Sequence, residues 1–539
     1  MALTVDRHLA ILAGISLSFV AVKALKGFIK KRQNNAPLPP GPVPLPLLGS
    51  VLSIDAYEPW LTYTEWGAVY GDLVFVRSLD EEMVVINSQH IAEALLDKRS
   101  RIYSDRPYLA TLEPYGLSID FGFIAYGDEW RLCRRLFHQT FRPESAAKFR
   151  PMQIKRAREI IVNLVDDPEN YYDHFATFSL SVVMSTVYDY NISARDDPMV
   201  QTVIKALVPG LTVLSPERAL MLKTFPFLLK VPDWCWGSSI KRSARGSTER
   251  INEMADMPFR YVQQHMADGS SLAQSSMVAE NLQRMETQEE AFKPAFENAL
   301  KKAATTAIIA SYESVNGQLH RVVRCLSSSQ SAASLMVFFL AMVLYPEVQK
   351  RAQAEIDSVI GKERLPTFED RASLPYIEAV LRETWRWQPV APLGVAHAAS
   401  SDDVYDGYFI PKGAIITYNT WAITRDEKRY PDASNFIPER FIDSDGALTS
   451  DDPAQYIFGL GRRACPGRYS ADSSAWAAIA TMLATLDISP AKDDQGKVIS
   501  FTPEFIPGLV RFPANFPCSI SARSHIHSDA VDSWRTAEF

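Results

Sequence analysis

Eleven residues near the C-terminus constrain this 539-residue chain more than any other segment: Phe458-Gly459-Leu460-Gly461-Arg462-Arg463-Ala464-Cys465-Pro466-Gly467-Arg468. Three glycines there, Gly459, Gly461 and Gly467, open backbone conformations closed to other residues and permit close approach to a flat partner. Pro466 suits the first turn of a helix starting just past Cys465. A cysteine in that place has its thiolate favoured by the helix dipole and by free N–H groups. Arg463 adds a positive charge suited to a carboxylate. A lone Gly-x-Gly would read as an ordinary turn with a buried free cysteine, but here the whole pattern F-x-x-G-x-R-x-C-x-G is filled.

The other cysteines leave that thiol available. Cys133, Cys235, Cys325, Cys465 and Cys518 are odd in number, far apart and without a C-x-x-C pair, which argues against a disulfide framework or a zinc site and for a reducing compartment. A net charge of -7, with no basic block outside the N-terminus, argues against a nucleic-acid partner. Apolar residues make up 47% of the chain, ample for a large core.

At the N-terminus an apolar run, Leu9 to Val22, is followed by Lys23, Lys26, Lys30, Lys31 and Arg32. Snorkelling of Lys23 and Lys26 would extend a spanning helix to Ile29. A cleaved signal peptide is the competing reading, but no small-x-small cleavage site follows the run. We therefore read residues 1–35 as a membrane anchor with a basic flank, which places the body on the cytoplasmic side. Residues 36–49 form a proline-rich hinge, with Pro37, Pro39, Pro40, Pro42, Pro44 and Pro46 excluding helix, either as a linker or as a stiff strut. The body, 50–521, reads as mostly helical. Phe339 to Gly361 has helical spacing with Pro346 opening a new helix, and Leu374 to Trp387 is a helix stopped by Pro389. Short β-type runs occur at Leu73 to Val76, Met83 to Ile86 and Ala414 to Tyr418. A polar tail, 522–539, closes the chain.

The cysteine pattern resembles that of the cytochrome P450 family, and the resemblance extends along most of the chain. It implies that Cys465 is the proximal thiolate ligand of a haem b iron, where a thiolate favours O–O cleavage. It implies that Arg463 pairs with a haem propionate and that Phe458 packs beside the cysteine loop. Trp130 and Arg134 match the family's W-x-x-x-R, with both facing the haem and Arg134 on a propionate; by themselves they would read as a core aromatic and a solvated charge. His397 falls where the family places a basic residue near a propionate, although a lone histidine is as often a packing residue. Glu383 and Arg386 match E-x-x-R, and Arg440 lies in the matching Pro438-Glu439-Arg440-Phe441. Alone, E-x-x-R is a surface ion pair; by resemblance the three form a buried structural network.

The family's oxygen-activating helix carries A/G-G-x-D/E-T-T/S. Ala310-Ser311-Tyr312-Glu313-Ser314 matches its start, and the pattern resumes at Ser331. Glu313 and Ser314 are thereby implied as the catalytic proton relay. Ser311 replaces the usual glycine and Ser314 the usual threonine. The sixteen residues between, 315–330, have no counterpart, and we read them as a translated intron or else an insertion: sixteen codons are 48 nucleotides, valine codons begin with GT, and Gln330 can be encoded by CAG.

The fold implied is the family's, mainly α with a small β-rich part. The activity implied is monooxygenation of a hydrophobic small molecule, a terpenoid, polyketide or aromatic secondary metabolite or a xenobiotic, at the endoplasmic reticulum membrane. No flavin or nicotinamide fingerprint is present, so electrons would come from NADPH–cytochrome P450 reductase, with cytochrome b5 as a second donor. Arg462 and Arg468 would lie on the docking face, and Val390 to Val395 and Ile506 to Val510 would line the substrate pocket. The alternatives are a family member that isomerises or dehydrates, and a haem binder impaired by its interrupted helix.

Overall fold

The three β-type runs become the centre of one small sheet. A computed structural model of the chain describes residues 36–79, 81–193, 197–211, 216–235, 238–268, 276–311 and 330–524, with Ile526 and Trp534. Its two compact units are Met1–Pro107 with Ala396–Asn419, and Tyr108–Val395 with Thr420–Phe539.

The first unit holds helix α1 (Pro59–Tyr70) and strands β1 (Leu73–Ser78), β2 (Glu81–Ile86), β3 (His397–Ala398), β4 (Asp403–Tyr405), β5 (Tyr408–Ile410) and β6 (Ile415–Tyr418). The sheet order is β1-β2-β6-β3. β1 and β2 are antiparallel, β2 and β6 parallel, and β3 runs antiparallel to β6 with His397 opposite Ile416. Val74, Val76, Val84, Val85, Ile86 and Ile416 are buried, as β-branched residues on a covered sheet should be. Asp406 and Gly407 both have positive φ, the turn chemistry that closes the β4–β5 hairpin.

The proline-rich stretch lies along β1. The Phe75 N–H donates to the Pro40 carbonyl (2.9 Å), Ser50 N–H to Arg77 (2.6 Å) and Leu79 N–H to Leu48 (3.0 Å). A Cβ on Gly41 would sit 1.9 Å from the Phe75 carbonyl oxygen, so only glycine permits this close approach.

The second unit is the helical one. Its main helices are α2 (Asp128–Phe141), α3 (Arg150–Asp166), α4 (Tyr171–Tyr188), α5 (Ser239–Ala267), α6 (Met277–Glu286), α7 (Lys293–Ser311), α8 (Gln330–Leu344), α9 (Pro346–Val359), α10 (Pro375–Trp387) and α11 (Arg468–Thr485). Small sheets complete it, including β7 (Leu486–Pro490), β8 (Phe505–Ile506), β9 (Phe512–Pro513) and β10 (Cys518–Ala522). The fold is mainly α with a minor β part, as the sequence leads one to expect.

Two cores organise this unit. α8 is buried on every side from Ala332 to Met342 and packs with α3, α4, α10 and α11; α2, α7 and parts of α4, α5 and α6 enclose the other core. A helix apolar all round belongs in such an interior. Pro346 ends it, since it starts α9 as a first-turn proline and the chain bends by 104° there. Together α8 and α9 have a membrane-like hydropathy, yet α8 is spent on the core; among the described residues no single helix is long and apolar enough to span a membrane. The proposed anchor, residues 1–35, lies outside the described residues.

α11 ends against the C-terminal segment. Ala522 pairs with Leu486 in the β10–β7 ladder, and Arg523 donates to the Leu483 and Ala484 carbonyls while its other terminal nitrogen lies 2.6 Å from Asp357 Oδ2. A cation there satisfies carbonyls that a helix end leaves unpaired.

Candidate active site

The cysteine loop folds as its glycines require. Gly459 and Gly461 have φ of 80° and 61°, the left-handed region, and the turn between them is fastened by the Cys465 N–H donating to the Phe458 carbonyl at 2.7 Å. The Phe458 ring stands edge-on to Trp385 of α10, centroids 5.4 Å apart. α11 starts at Arg468 with Gly467 as its N-cap, so Pro466 lies before the cap rather than in the first turn as the sequence suggests. Its fixed φ instead stiffens the step out of the cysteine.

The sulfur of Cys465 has protein on all sides, although the residue keeps some accessible surface. Burial pushes the thiol's pKa up; opposing it are the Gly467 N–H, the Arg134 and Arg468 charges and the Arg468 N–H. Desolvation thus works against the dipole and the N–H groups at this sulfur.

α2 brings Trp130 and Arg134 to one face by their spacing of four. Trp130 is buried, with the Tyr126 ring 5.0 Å from it and the Arg463 guanidinium 4.5 Å over it. Arg463 also donates to the Ile124 carbonyl (2.8 Å), and Arg462 to the Tyr126 hydroxyl (2.6 Å). Arg134 has its pKa lowered by burial, against the pull of the Cys465 thiolate. Neither the Arg134 guanidinium nor the Trp130 indole N–H hydrogen-bonds to any described residue. A cysteine sulfur with the Arg134 charge acting on it, and an indole donor one turn earlier on the same helix, is a donor set that fits an iron porphyrin, whose propionates accept hydrogen bonds.

Glu383, Arg386 and Arg440 do come together. Arg386 is fully buried and uses all its N–H groups: Nε and Nη2 on Glu383 (2.7 Å each), Nη1 on the Thr424 and Ala433 carbonyls (3.0 and 2.8 Å), and Nη2 also on Asn435 (3.0 Å). Glu383, equally buried, also accepts from the Ile437 N–H (2.7 Å) and from Arg440 Nε (3.3 Å). The carboxylate anchors α10 to the chain that leads to the cysteine loop.

His397 belongs to the first unit. It is buried on β3, and its Nδ1 carries a proton to the Tyr103 carbonyl at 2.7 Å. Glu313 and Ser314 lie outside the described residues; α7 is described to Ser311, whose hydroxyl turns back to the Ile308 carbonyl (3.0 Å). The Gly467 and Arg468 amides are the free N–H groups the sequence leads one to expect, whereas the sequence reasoning missed Tyr126. Tyr126 stands four residues before Trp130, but nothing in that spacing signals a bond to Arg462.

A cysteine loop ahead of α11, with its sulfur buried and the Arg134 guanidinium of α2 acting on it, lies within a mainly helical unit. The comparisons name the family. The sequence model of the Cytochrome P450 family matches residues 39–320 and 327–516. Cytochrome P450 monooxygenase claR of Ampulloclitocybe clavipes is 34% identical over 95% of this chain and 90% of its own. The COX2 cytochrome P450 monooxygenase of Coprinopsis cinerea is 34% identical over 95% of both chains, and cytochrome P450 monooxygenase 176 of Postia placenta 34% over 97% of both. The chain belongs to the cytochrome P450 family, in its fungal branch, and is an oxidoreductase of the monooxygenase type.

Proposed function

We propose that the chain is a haem-thiolate monooxygenase with Cys465 as axial ligand, oxidising a terpenoid, a polyketide, an aromatic secondary metabolite or a xenobiotic. The observation that carries this reading is the donor set at Cys465: a sulfur met by two backbone N–H groups and by the charge of Arg134, whose guanidinium has no acceptor among the described residues, with Trp130 one turn before it on α2. Haem held there supplies dioxygen activation, one oxygen atom entering the substrate and the other leaving as water once two electrons and two protons arrive.

The chain's own groups do the rest. The Gly467 and Arg468 N–H groups hold the sulfur in place and temper its basicity. Arg134 and Trp130 orient propionates, and Arg463, braced on Trp130 and Ile124, adds charge beside them. Glu313 and Ser314 supply a carboxylate and a hydroxyl for proton delivery, a reading supported by their place in the family pattern. The apolar segments Val390 to Val395 and Ile506 to Val510 suit a greasy substrate. Electrons arrive from NADPH–cytochrome P450 reductase, or from cytochrome b5, at a basic face that includes Arg462 and Arg468. The apolar run and cations of residues 1–35 support a single-pass anchor in the endoplasmic reticulum, body to the cytosol.

A second reading concerns residues 315–330, which we take as a translated intron. The family match skips 321–326, inside that stretch, while covering 315–320 and 327–330; the case for all sixteen residues is the sequence pattern, in which Ser314 joined to Ser331 keeps the family's spacing. Two proteins test both readings: the full chain and the chain lacking 315–330, each with its Cys465→Ser counterpart. The reduced, carbon monoxide-bound difference spectrum should show a thiolate-type Soret band in the shortened chain and lose it on Cys465→Ser. The band in neither chain refutes the haem-thiolate reading. A transcript that encodes 315–330 in a fully active enzyme refutes the intron.

A further inference from the structure

One hydrogen bond ties a loop to the distal helix, and neither the cofactor nor the buried network uses it. After the short turn Leu117–Ile119, Asp120 Oδ1 accepts the Gly122 N–H (2.8 Å) and the Asp120 carbonyl accepts the Phe123 N–H (3.2 Å). Phe121, between them, is buried, with its ring 5.8 Å from Phe137 of α2. Its N–H takes no part in the turn and donates to Thr306 Oγ1 on α7 at 3.0 Å. Three residues on, the Ile124 carbonyl is held by Arg463 of the cysteine loop, and Tyr126 by Arg462. The strip 121–126 therefore reaches from α7 to the cysteine loop.

The face of α7 that carries Thr306 matters. Ala303, Ala304, Thr305, Ala307, Ile308 and Ser311 are buried, while Thr306, Ile309 and Ala310 are not. Thr306 and Ile309 are half-buried and Ala310 is exposed, a spacing of three and four that marks the less covered face of the helix among the described residues. Thr306 thus spends its hydroxyl on a loop amide while standing on that less covered face.

We infer that Thr306 is a positioning residue: its hydroxyl latches loop 117–123 onto α7, and the latch sets how bulky a molecule the site admits. This rests on the haem-thiolate reading. Without the acceptor, the Phe121 N–H is left buried and unpaired unless the loop moves to reach water. Loss of one neutral bond of this kind shifts such a balance about fivefold.

The holoenzyme and its Thr306→Val, Thr306→Ala and Thr306→Ser variants decide the matter. Two quantities are read: amide hydrogen exchange over 117–123, and the spectral dissociation constants of imidazole, phenylimidazole and a trityl imidazole at the haem. Valine and alanine should speed exchange about fivefold and lower the bulky-to-small ratio of dissociation constants by a similar factor. Serine, which keeps the acceptor, should stay near wild type. Should Thr306→Val load poorly with haem, the smaller alanine carries the ligand comparison. Unchanged exchange and ratio in valine and alanine, or serine behaving as they do, overturns the latch. A wild-type enzyme without a thiolate-type Soret band defeats the parent reading instead, whereas a normal band with an unmoved ratio defeats the latch alone.

Discussion

Removing both Glu383 and Arg386 should be no gentler than removing Glu383 alone, and the reason lies in what Arg386 holds besides its partner. For an isolated buried ion pair, deleting one member strands a charge at a cost of about 3–5 kcal/mol, while replacing both by apolar residues is often neutral or better. Here Glu383→Ala strands Arg386 and also takes the acceptor from the Ile437 N–H. In Glu383→Leu/Arg386→Met the stranded charge is gone, but the buried carbonyls of Thr424 and Ala433 lose their donor. With the Ile437 N–H orphaned as well, three buried groups at about 1–3 kcal/mol each make the double replacement cost about 3–9 kcal/mol, against about 4–8 kcal/mol for the single one with its stranded charge. Either figure is a large share of the roughly 5–15 kcal/mol that holds a domain together. A cofactor-loaded chain of this size is not a two-state folder, so haem bound per chain and the half-life of thermal inactivation are the quantities to compare. Both variants should fall well below wild type on each measure. A double variant that loads haem and survives heating within about twofold of wild type (about 0.4 kcal/mol by the Boltzmann relation) would refute the anchoring argument and reduce the network to a simple ion pair.

Three further outcomes follow from the geometry. On the haem-thiolate reading Arg134 would be a charged donor to a propionate, worth roughly 1.5–3 kcal/mol, so Arg134→Gln should favour haem transfer to an apoglobin acceptor about 10- to 150-fold; unchanged retention would place the propionates elsewhere. Arg364, with the Thr367 N–H and hydroxyl, holds the Asp370 carboxyl well below the usual carboxylate range, burial opposing. A depressed folded-state pKa gives stability that is fully present above the ordinary value of about 3.9 and is lost as pH falls towards the folded one, so Asp370→Asn should weaken the protein at neutral pH and flatten its acid limb; an acid limb as steep as wild type's would refute this. Arg523→Gln removes the cation from the end of α11 and from Asp357, which should shorten the inactivation half-life with the Soret position unchanged, and a half-life equal to wild type's would show that the cap contributes nothing.

What the sequence revealed, and what it hid, divides along the line between side-chain identity and backbone geometry. The strands at Leu73, Met83 and Ile415, the break at Pro346 and the helix ending at Trp387 are written in periodicity and in proline, because those signals are local. The meeting of Glu383, Arg386 and Arg440 came from motif resemblance, and the structure supplies its physics. The acceptors that make the network matter are the carbonyls of Thr424, Ala433 and Asn435, and every residue has a carbonyl, so no residue code marks them. The same holds for Ile124 beneath Arg463 and for the Phe121 amide on Thr306. Cys465 shows a different limit. Its place before a helix was legible, but a local argument from the dipole and free N–H groups favours the thiolate, whereas burial by residues distant in sequence raises the thiol's pKa. Desolvation is a property of the packed chain, so no local pattern around the cysteine reports it. The proline-rich stretch is a third case: proline excludes helix and donates nothing, yet the Pro40 carbonyl still accepts from Phe75, so a segment that composition alone leaves as linker or strut is bound edge-on to β1.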